Sequence, residues 1–293
     1  MKNFAYLRPE NISEAIKMKE EYGDNARYWA GGTDLLVLLK KNKLNLDYCI
    51  DLSFLSDLEY INKNEDTVTI GALTRVVSVE RSEVFSGKLE IVRQAAAELA
   101  TPGIRTTATI GGNLCHAAPS ADMAPPLLAL DSEFKLVGSS GDRWVKGEEF
   151  FLHVNKTVLK DNEILAEVSV PIPGNNTATC FLKHGRTVVD IAIVNMAMSM
   201  TKDDEGKIID IKIVYGAVAP TPVRMKSAEA MVLGKSLSEM DVDFIERVAD
   251  SVADEVKPIT DVRSTSEYRR EISRVLAERA LKSVLADFGR YVK

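Results

Sequence analysis

The chain has 293 residues, is 45% hydrophobic and 27% charged, and carries a formal net charge of −6. Its length suits two domains of roughly 150 residues each, and its composition is that of a globular chain with a true core. An acidic balance without a basic tract argues against nucleic acid as a partner, and no apolar run nears the ~20 residues of a membrane span.

The first nine residues, Met1 to Pro9, lack the apolar stretch of a secretory signal, which points to a cytoplasmic protein. Asn11-Ile12-Ser13-Glu14 places an N-cap residue three positions before an acid and predicts a helix over 12–22 that stops at Gly23. A strand over 26–30 then delivers Ala30-Gly31-Gly32-Thr33-Asp34. Thr33 and Asp34 suit the cap of a helix running to Lys40. A strand over 48–52 closes a small βαβ-like unit that ends near Asp57.

Residues 67–71 alternate with the period of a strand. Leu89, Val92, Ala95, Ala96 and Leu99 recur at helical spacing, and that helix ends before Pro102-Gly103. A second double glycine, Thr109-Ile110-Gly111-Gly112-Asn113, follows an apolar run over 108–110. Pro125-Pro126 introduces a buried helix over 127–130, and strands near 134–137 and 164–170 complete the region.

Pro171-Ile172-Pro173-Gly174-Asn175-Asn176 reads as a linker. It divides residues 1–174, with subdomains of about 1–57 and 58–174, from residues 175–293. Three strands follow, over 178–184, 190–201 and 207–217, the last two joined by Asp203-Asp204-Glu205-Gly206 as a hairpin turn. Val242, Ile245, Val248, Ala249, Val252 and Val256 mark one helix, and Tyr268, Ile272, Val275, Leu276 and Ala280 another. Ser264-Thr265-Ser266-Glu267 matches a capping box for the latter. Strands followed by helices define an α+β domain.

The double glycines carry the chemistry. Glycine pairs let the backbone approach a ligand closely and turn its N–H groups outward, which suits a phosphate. The N–H groups of Gly31, Gly32 and Thr33 would face phosphate oxygens, and the following helix adds roughly 0.3–1 kcal/mol per nearby charge. The same segment also reads as a strand–turn–helix corner with nothing bound. It is neither GxGxxG nor GxxxxGK[ST], which disfavours a Rossmann NAD site and a P-loop. Two such segments in one half of a chain predict a divided site for one elongated, diphosphate-bearing ligand.

Residues 114–125 are mostly small, and Asn113, Ser120 and Asp122 offer hydrogen bonds to a polyol or sugar. Alternatively Asp122 caps the next helix. Trp29 either lines a nucleotide pocket or packs in the core. Lys183, His184 and Arg186, at a strand end, either face a ligand held by the first domain or are solvated. Cys49, Cys115 and Cys180 are far apart and odd in number, which argues against a disulfide framework. An iron–sulfur cluster takes four closely spaced thiolates, so redox metals, if involved, belong on another chain. His116, His153 and His184 are likewise scattered. Cys115-His116 is a poor nucleophile–base pair, because neighbours on an extended segment point opposite ways.

The two glycine segments, extended to Leu35 and Leu114 and followed by Ala118-Pro119-Ser120-Ala121-Asp122, resemble the FAD-binding (medium) subunit of the molybdenum hydroxylases. That family includes carbon monoxide dehydrogenase and the flavin segment of xanthine dehydrogenase. Further matches are Glu163-Ile164-Leu165, Phe181-Leu182-Lys183, Asp190-Ile191-Ala192, residues 216–222, Asp261-Val262-Arg263-Ser264 and Tyr268-Arg269.

The resemblance implies a two-subdomain FAD-binding fold of the vanillyl-alcohol-oxidase type, followed by an α+β domain of three antiparallel strands and helices. It implies noncovalent FAD, its diphosphate held by residues 31–35 and by Thr109, Ile110, Gly111, Gly112 and Asn113. Trp29 and Ala30 flank that cradle. Asp122 would bond the ribityl chain or the nearby flavin, Leu99 and Leu165 would touch the flavin, and Lys183 would approach it from the second domain. Arg186 and Asp190 would lie near the face where the oxidant arrives.

Molybdopterin and [2Fe–2S] clusters are implied on large and small partner subunits, in a dimer of heterotrimers that passes electrons to NAD or another acceptor. The cysteine-bearing insertion of the benzoyl-CoA-reductase branch is missing. Two other readings stay open: a self-sufficient FAD-dependent oxidase or dehydrogenase of the same fold, and a catalytically silent nucleotide-binding scaffold subunit.

Overall fold

The computed structural model describes residues 3–292, so Met1 and Lys2, where the segment read for a leader begins, lie outside the described residues. The chain begins with β1 (Ala5–Leu7), α1 (Ile12–Tyr22), β2 (Ala26–Trp29), α2 (Leu35–Lys40) and β3 (Tyr48–Asp51). The three strands form a parallel sheet ordered β1-β3-β2. Helix α1 starts where Asn11 Oδ1 accepts the Glu14 N–H at 2.9 Å, and it buries Ala15 and Ile16 against Ala26, Ile50 and Leu52. The Glu14 carboxylate reaches back one residue further than a capping box, to the Glu10 N–H at 2.6 Å. Strand β1 has no counterpart in the sequence reading, because three residues are too few to display a period.

A second layer contains β4 (Ile61–Lys63), β5 (Thr67–Gly71), α3 (Val76–Arg81), α4 (Glu90–Glu98), α5 (Pro102–Arg105), α6 (Ile110–His116) and α7 (Ala124–Ala129). It continues through β6 (Glu133–Gly138), β7 (Gly141–Lys146), α8 (Gly147–Phe150), β8 (Phe151–His153), β9 (Lys156–Thr157) and β10 (Glu163–Pro171). Five of these strands make an antiparallel sheet ordered β4-β5-β10-β6-β7. Val68 and Ile70 of β5 and Val168 and Val170 of β10 point to one face, where they bury the apolar sides of α4, α6 and α7. The second double glycine, expected as a loop, lies inside α6. Thr109 caps that helix by accepting the Gly112 N–H at 3.0 Å, which outweighs the poor helix propensity of two glycines.

The remainder comprises β11 (Thr177–His184), β12 (Val194–Lys202), β13 (Ile208–Gly216), β14 (Val223–Arg224), α9 (Lys226–Val232), α10 (Val242–Glu255) and α11 (Ser266–Asp287). The antiparallel sheet has four strands rather than the expected three, since the two-residue β14 pairs with β13. Strand β12 starts at Val194, not 190, because residues 187–191 form a largely exposed loop. The cap of α11 is Thr265, which accepts the Tyr268 N–H at 3.2 Å, one residue beyond the expected Ser264.

Period-two alternation gives this last sheet two different faces. Cys180, Met196, Met198, Met200, Ile211 and Ile213 pack under α10 and α11. Phe181, Ala197 and Val214 face the other way, into the core shared with α4 and α7. The sheet is therefore covered on both sides, and its inner face carries polar side chains at Lys183 and Asn195 toward the first half of the chain.

Arg269 of α11, 3% exposed, ties this region together. Its guanidinium donates to the carbonyls of Ile193 and Ala217 and, at 2.8 Å, to Asp261. Burial by itself would raise the Asp261 carboxyl. Hydrogen bonds from the Arg263 N–H and from the Arg269 and Arg263 guanidinium groups outweigh burial and hold it down at about 2, below the ordinary 3.8. A carboxyl lowered on folding stabilises the folded state above its ordinary value, and that contribution disappears as pH falls through the folded value. Asp261→Asn is expected to cost about 1–3 kcal/mol near neutral pH, with the gap to wild type closing between pH 4 and 2. Denaturant titrations across that range check it.

Candidate functional site

The first glycine segment leaves the end of β2 and packs directly on Thr107 and Ala108, which lead into the second. A Cβ on Gly31 would stand 2.1 Å from the Thr107 carbonyl oxygen, so the two chain segments touch where no side chain fits. Gly32 has φ of +69°, and a Cβ there would overlap the Trp29 indole at 2.3 Å. Trp29 and Leu35 pack against Leu39, Leu46 and Cys49, while Ala30 borders the core under α1. The expected caps are not made: Asp34 precedes α2 without a side-chain hydrogen bond. Asp34 instead places Oδ1 3.7 Å from His116 Nε2 at the end of α6, a further bridge between the two segments. The N–H groups of Gly31, Gly32 and Thr33 have no acceptor among the described residues.

The second segment is held from below. Ala72 donates to the Ala166 carbonyl at 2.9 Å and accepts the Gly111 N–H at 2.8 Å. The first of these bonds carries the β5–β10 pairing one residue past β5, Ala166 standing opposite Ala72 in the register that sets Glu167 opposite Gly71. Leu165, 3% exposed, therefore lies next to the anchor of Gly111, whose missing side chain leaves room for Ala72. Ile110 donates to the Thr74 carbonyl at 3.0 Å and is fully buried. The Asn113 Oδ1 is buried with no hydrogen-bond partner. Because α6 is helical, Cys115 and His116 are neighbours on a helix rather than on an extended segment. Burial pushes the Cys115 thiol up to about 12, which removes it as a nucleophile.

Asp122 does not cap α7, whose N-terminal flank, Met123, makes no side-chain cap. Its carboxylate is buried and accepts from Lys183 Nζ at 2.7 Å and from Asn195 Nδ2 at 2.7 Å. Lys183 also donates to the Glu98 carbonyl at 2.7 Å, at the end of α4 and next to Leu99. Lys183 is thus buried, not solvated, its side chain 4% exposed. Burial pushes the Asp122 carboxyl up, and the Lys183 ammonium and the Asn195 amide pull against that. The small residues 117–122 connect this cluster to α6, and the Pro119 carbonyl accepts the Ala217 N–H at 2.6 Å.

Asn195, 0% exposed, and the backbone contributions of Thr107 and Glu98 escape the sequence reading. Asn195 left one signal, a lone amide in the apolar run from Ala192 to Met198. Beyond Lys183 a surface hollow of about 640 Å³ opens between His184, Arg186, Ile193, Arg263 and Tyr268. There Arg186 pairs with Asp190 at 3.1 Å, and His184 Nε2 lies 3.1 Å from the Tyr268 hydroxyl.

Residues 2–173 match the family model described as the FAD binding domain in molybdopterin dehydrogenase. Residues 180–284 match the CO dehydrogenase flavoprotein C-terminal domain. The fold and the matched segments define a flavoprotein component of an oxidoreductase. More particularly, the chain belongs to the FAD-binding subunits of the molybdenum hydroxylase family. It is 34% identical over 281 residues to the glyceraldehyde dehydrogenase medium chain of Sulfolobus acidocaldarius, covering 96% of this chain and 98% of that one. It is 29% identical to the carbon monoxide dehydrogenase medium chain of Hydrogenophaga pseudoflava, covering 97% of each. A solved structure of carbon monoxide dehydrogenase from the latter organism superposes with a TM-score of 0.93 at 30% identity, covering 97% of this chain and 98% of that one.

Gly31→Ala is expected to destabilise the protein by about 1–3 kcal/mol, because its Cβ drives into backbone. Gly112→Ala is expected to cost less, since its Cβ would meet only the Thr109 hydroxyl at 2.9 Å. Chemical denaturation of the two variants side by side tests the ranking; a Gly112→Ala cost equal to that of Gly31→Ala contradicts it.

Proposed function

We propose that residues Gly31 to Leu35 and Thr109 to Asn113 hold the diphosphate of FAD, with Trp29 and Ala30 at the edge of that cradle. Asp122, Lys183, Leu99 and Leu165 line the flavin end. The observation that carries this reading is the direct contact of Gly31 with Thr107 and Ala108, which lead into the second glycine segment, beside three unclaimed N–H groups. Oriented backbone donors at a glycine turn suit phosphate oxygens. The buried, unpartnered Asn113 Oδ1 fits a hydroxyl donor of the same ligand. When bound, FAD supplies a carrier that takes up and releases electrons singly or in pairs.

The chain's own part is to bind, orient and enclose. Gly31, Gly32 and Thr33 donate to the diphosphate, Gly111 fixes α6 against Ala72, and Asp122 with Lys183 closes the second half of the chain over the site. Burial keeps the thiols high, at about 12 for Cys49 and Cys115 and about 11 for Cys180, and among the described residues no group of three or more His, Cys, Asp or Glu is placed to hold a metal ion. In this reading the [2Fe–2S] clusters sit on a small partner subunit and molybdopterin on a large one. Relatives named as medium chains support such an assembly. In that assembly this chain would hold the FAD through which electrons from the clusters reach NAD or another acceptor, with Arg186 and Asp190 near the face where the acceptor would arrive. The complex works in the cytoplasm as a dimer of heterotrimers. In the described residues no helix is long and apolar enough to cross a membrane.

Native purification with flavin analysis tests this. One noncovalent FAD per chain is expected, reduced by the organic substrate only when the large and small subunits are present. Turnover of a small alcohol or aldehyde by the isolated chain would favour a self-sufficient oxidase instead.

A further inference from the structure

Lys183, Asn195 and Gly216 form one cross-strand row on the inner face of the last sheet, Lys183 paired with Asn195 and Asn195 with Gly216. Directly opposed side chains in a sheet are close enough to act as a unit. Above the row sits the Asp122 carboxylate, one oxygen on Lys183 and the other on Asn195, both at 2.7 Å. Gly216 completes the row by having no side chain. A Cβ there would lie 2.2 Å from Asn195 Oδ1, so only glycine leaves the amide its place. The amide orientation follows from the carboxylate: turned over, its oxygen would face another acceptor, whereas as placed its N–H donates to Asp122.

Two further facts give the row a direction. Lys183 Nζ has three N–H donors and spends two, on Asp122 and on the Glu98 carbonyl, so one has no acceptor among the described residues. Asn195 itself is wholly buried and cannot touch a bound ligand. We propose that Asn195 is a positioning residue of the cofactor site: by pinning the Asp122 carboxylate against the Lys183 ammonium, it sets the charge that the pair presents to FAD. The inference rests on the reading of this site as the FAD site. Glu98, whose own carboxyl burial pushes up, is the other ionisable group facing the pair.

A charge swap separates this role from a structural one. In the double variant Asp122→Asn with Asn195→Asp, the amide at 122 still accepts from Lys183 and donates to the carboxylate at 195. The hydrogen bonds and total charge stay, but the negative charge moves one side chain away from the ammonium. Less neutralised, Lys183 favours the more electron-rich reduced cofactor. The full-length swap protein, loaded with FAD, is expected to melt within a few degrees of wild type and to show a raised reduction potential of the bound flavin.

Asn195→Leu, which removes the donor at similar volume, is expected to weaken FAD retention by ~10-fold, the worth of one hydrogen bond to a charged group. Gly216→Ala, which displaces the amide without deleting it, is expected to reproduce that loss and serves if the swap fails to fold. An unchanged or lowered potential in the swap overturns the proposal, as does wild-type FAD affinity in Asn195→Leu and Gly216→Ala. A wild-type chain that takes up no FAD overturns the underlying site reading instead.

Discussion

A carboxylate and an ammonium are buried together where the two halves of the chain meet, and much of the local architecture follows from keeping them satisfied. Withdrawing such a pair from water costs several kcal/mol per ion unless geometry and further hydrogen bonds compensate. Helix α4 ends at Glu98, which frees a carbonyl at the negative end of its dipole for Lys183. Strand β12 accepts an amide in an apolar run, and β13 gives up a side chain beside it. The segment over 117–122 stays small so that Asp122 can descend to the sheet while Pro119 bonds Ala217.

The double glycines look different once the packing is known. Read alone, they suit a ligand. In the fold, Gly31 and Gly111 serve protein contacts first, against Thr107 and Ala72, and only Gly32 needs a backbone conformation with positive φ. The two roles are compatible. Because Gly31 presses on Thr107, its neighbours' N–H groups are held where nothing else in the described chain claims them. Close packing on one side leaves the polar groups of the other side available.

What was legible in the sequence was local. The alternation over 67–71 gave β5, Asn11 gave the start of α1, and the apolar spacing from Val242 gave α10. The helical state of α6 was not legible, because two glycines weigh against a helix unless the Thr109 cap and the Ala72 carbonyl are known. Short strands such as β1, β4 and β14 carry too few residues to show a period. At the site, the two glycine segments could be found by composition, but not that Gly31 packs on Thr107 and Ala108 at the approach to the second. Asp122 was singled out, yet its partners lie 61 and 73 residues away, and only the folded chain brings them to it.

The sheet formed by β11 to β14 is lined on one face by Phe181, Ala197 and Val214, which belong to the core of the preceding half. That arrangement has a consequence for synthesis. While residues 177–216 are still being made, the faces of α4 and α7 that pack on β11, β12 and β13 stay uncovered, and Asp122 has not yet met its cation. Each half supplies one side of that shared wall, so either could be replaced only by a piece that keeps the other's contacts.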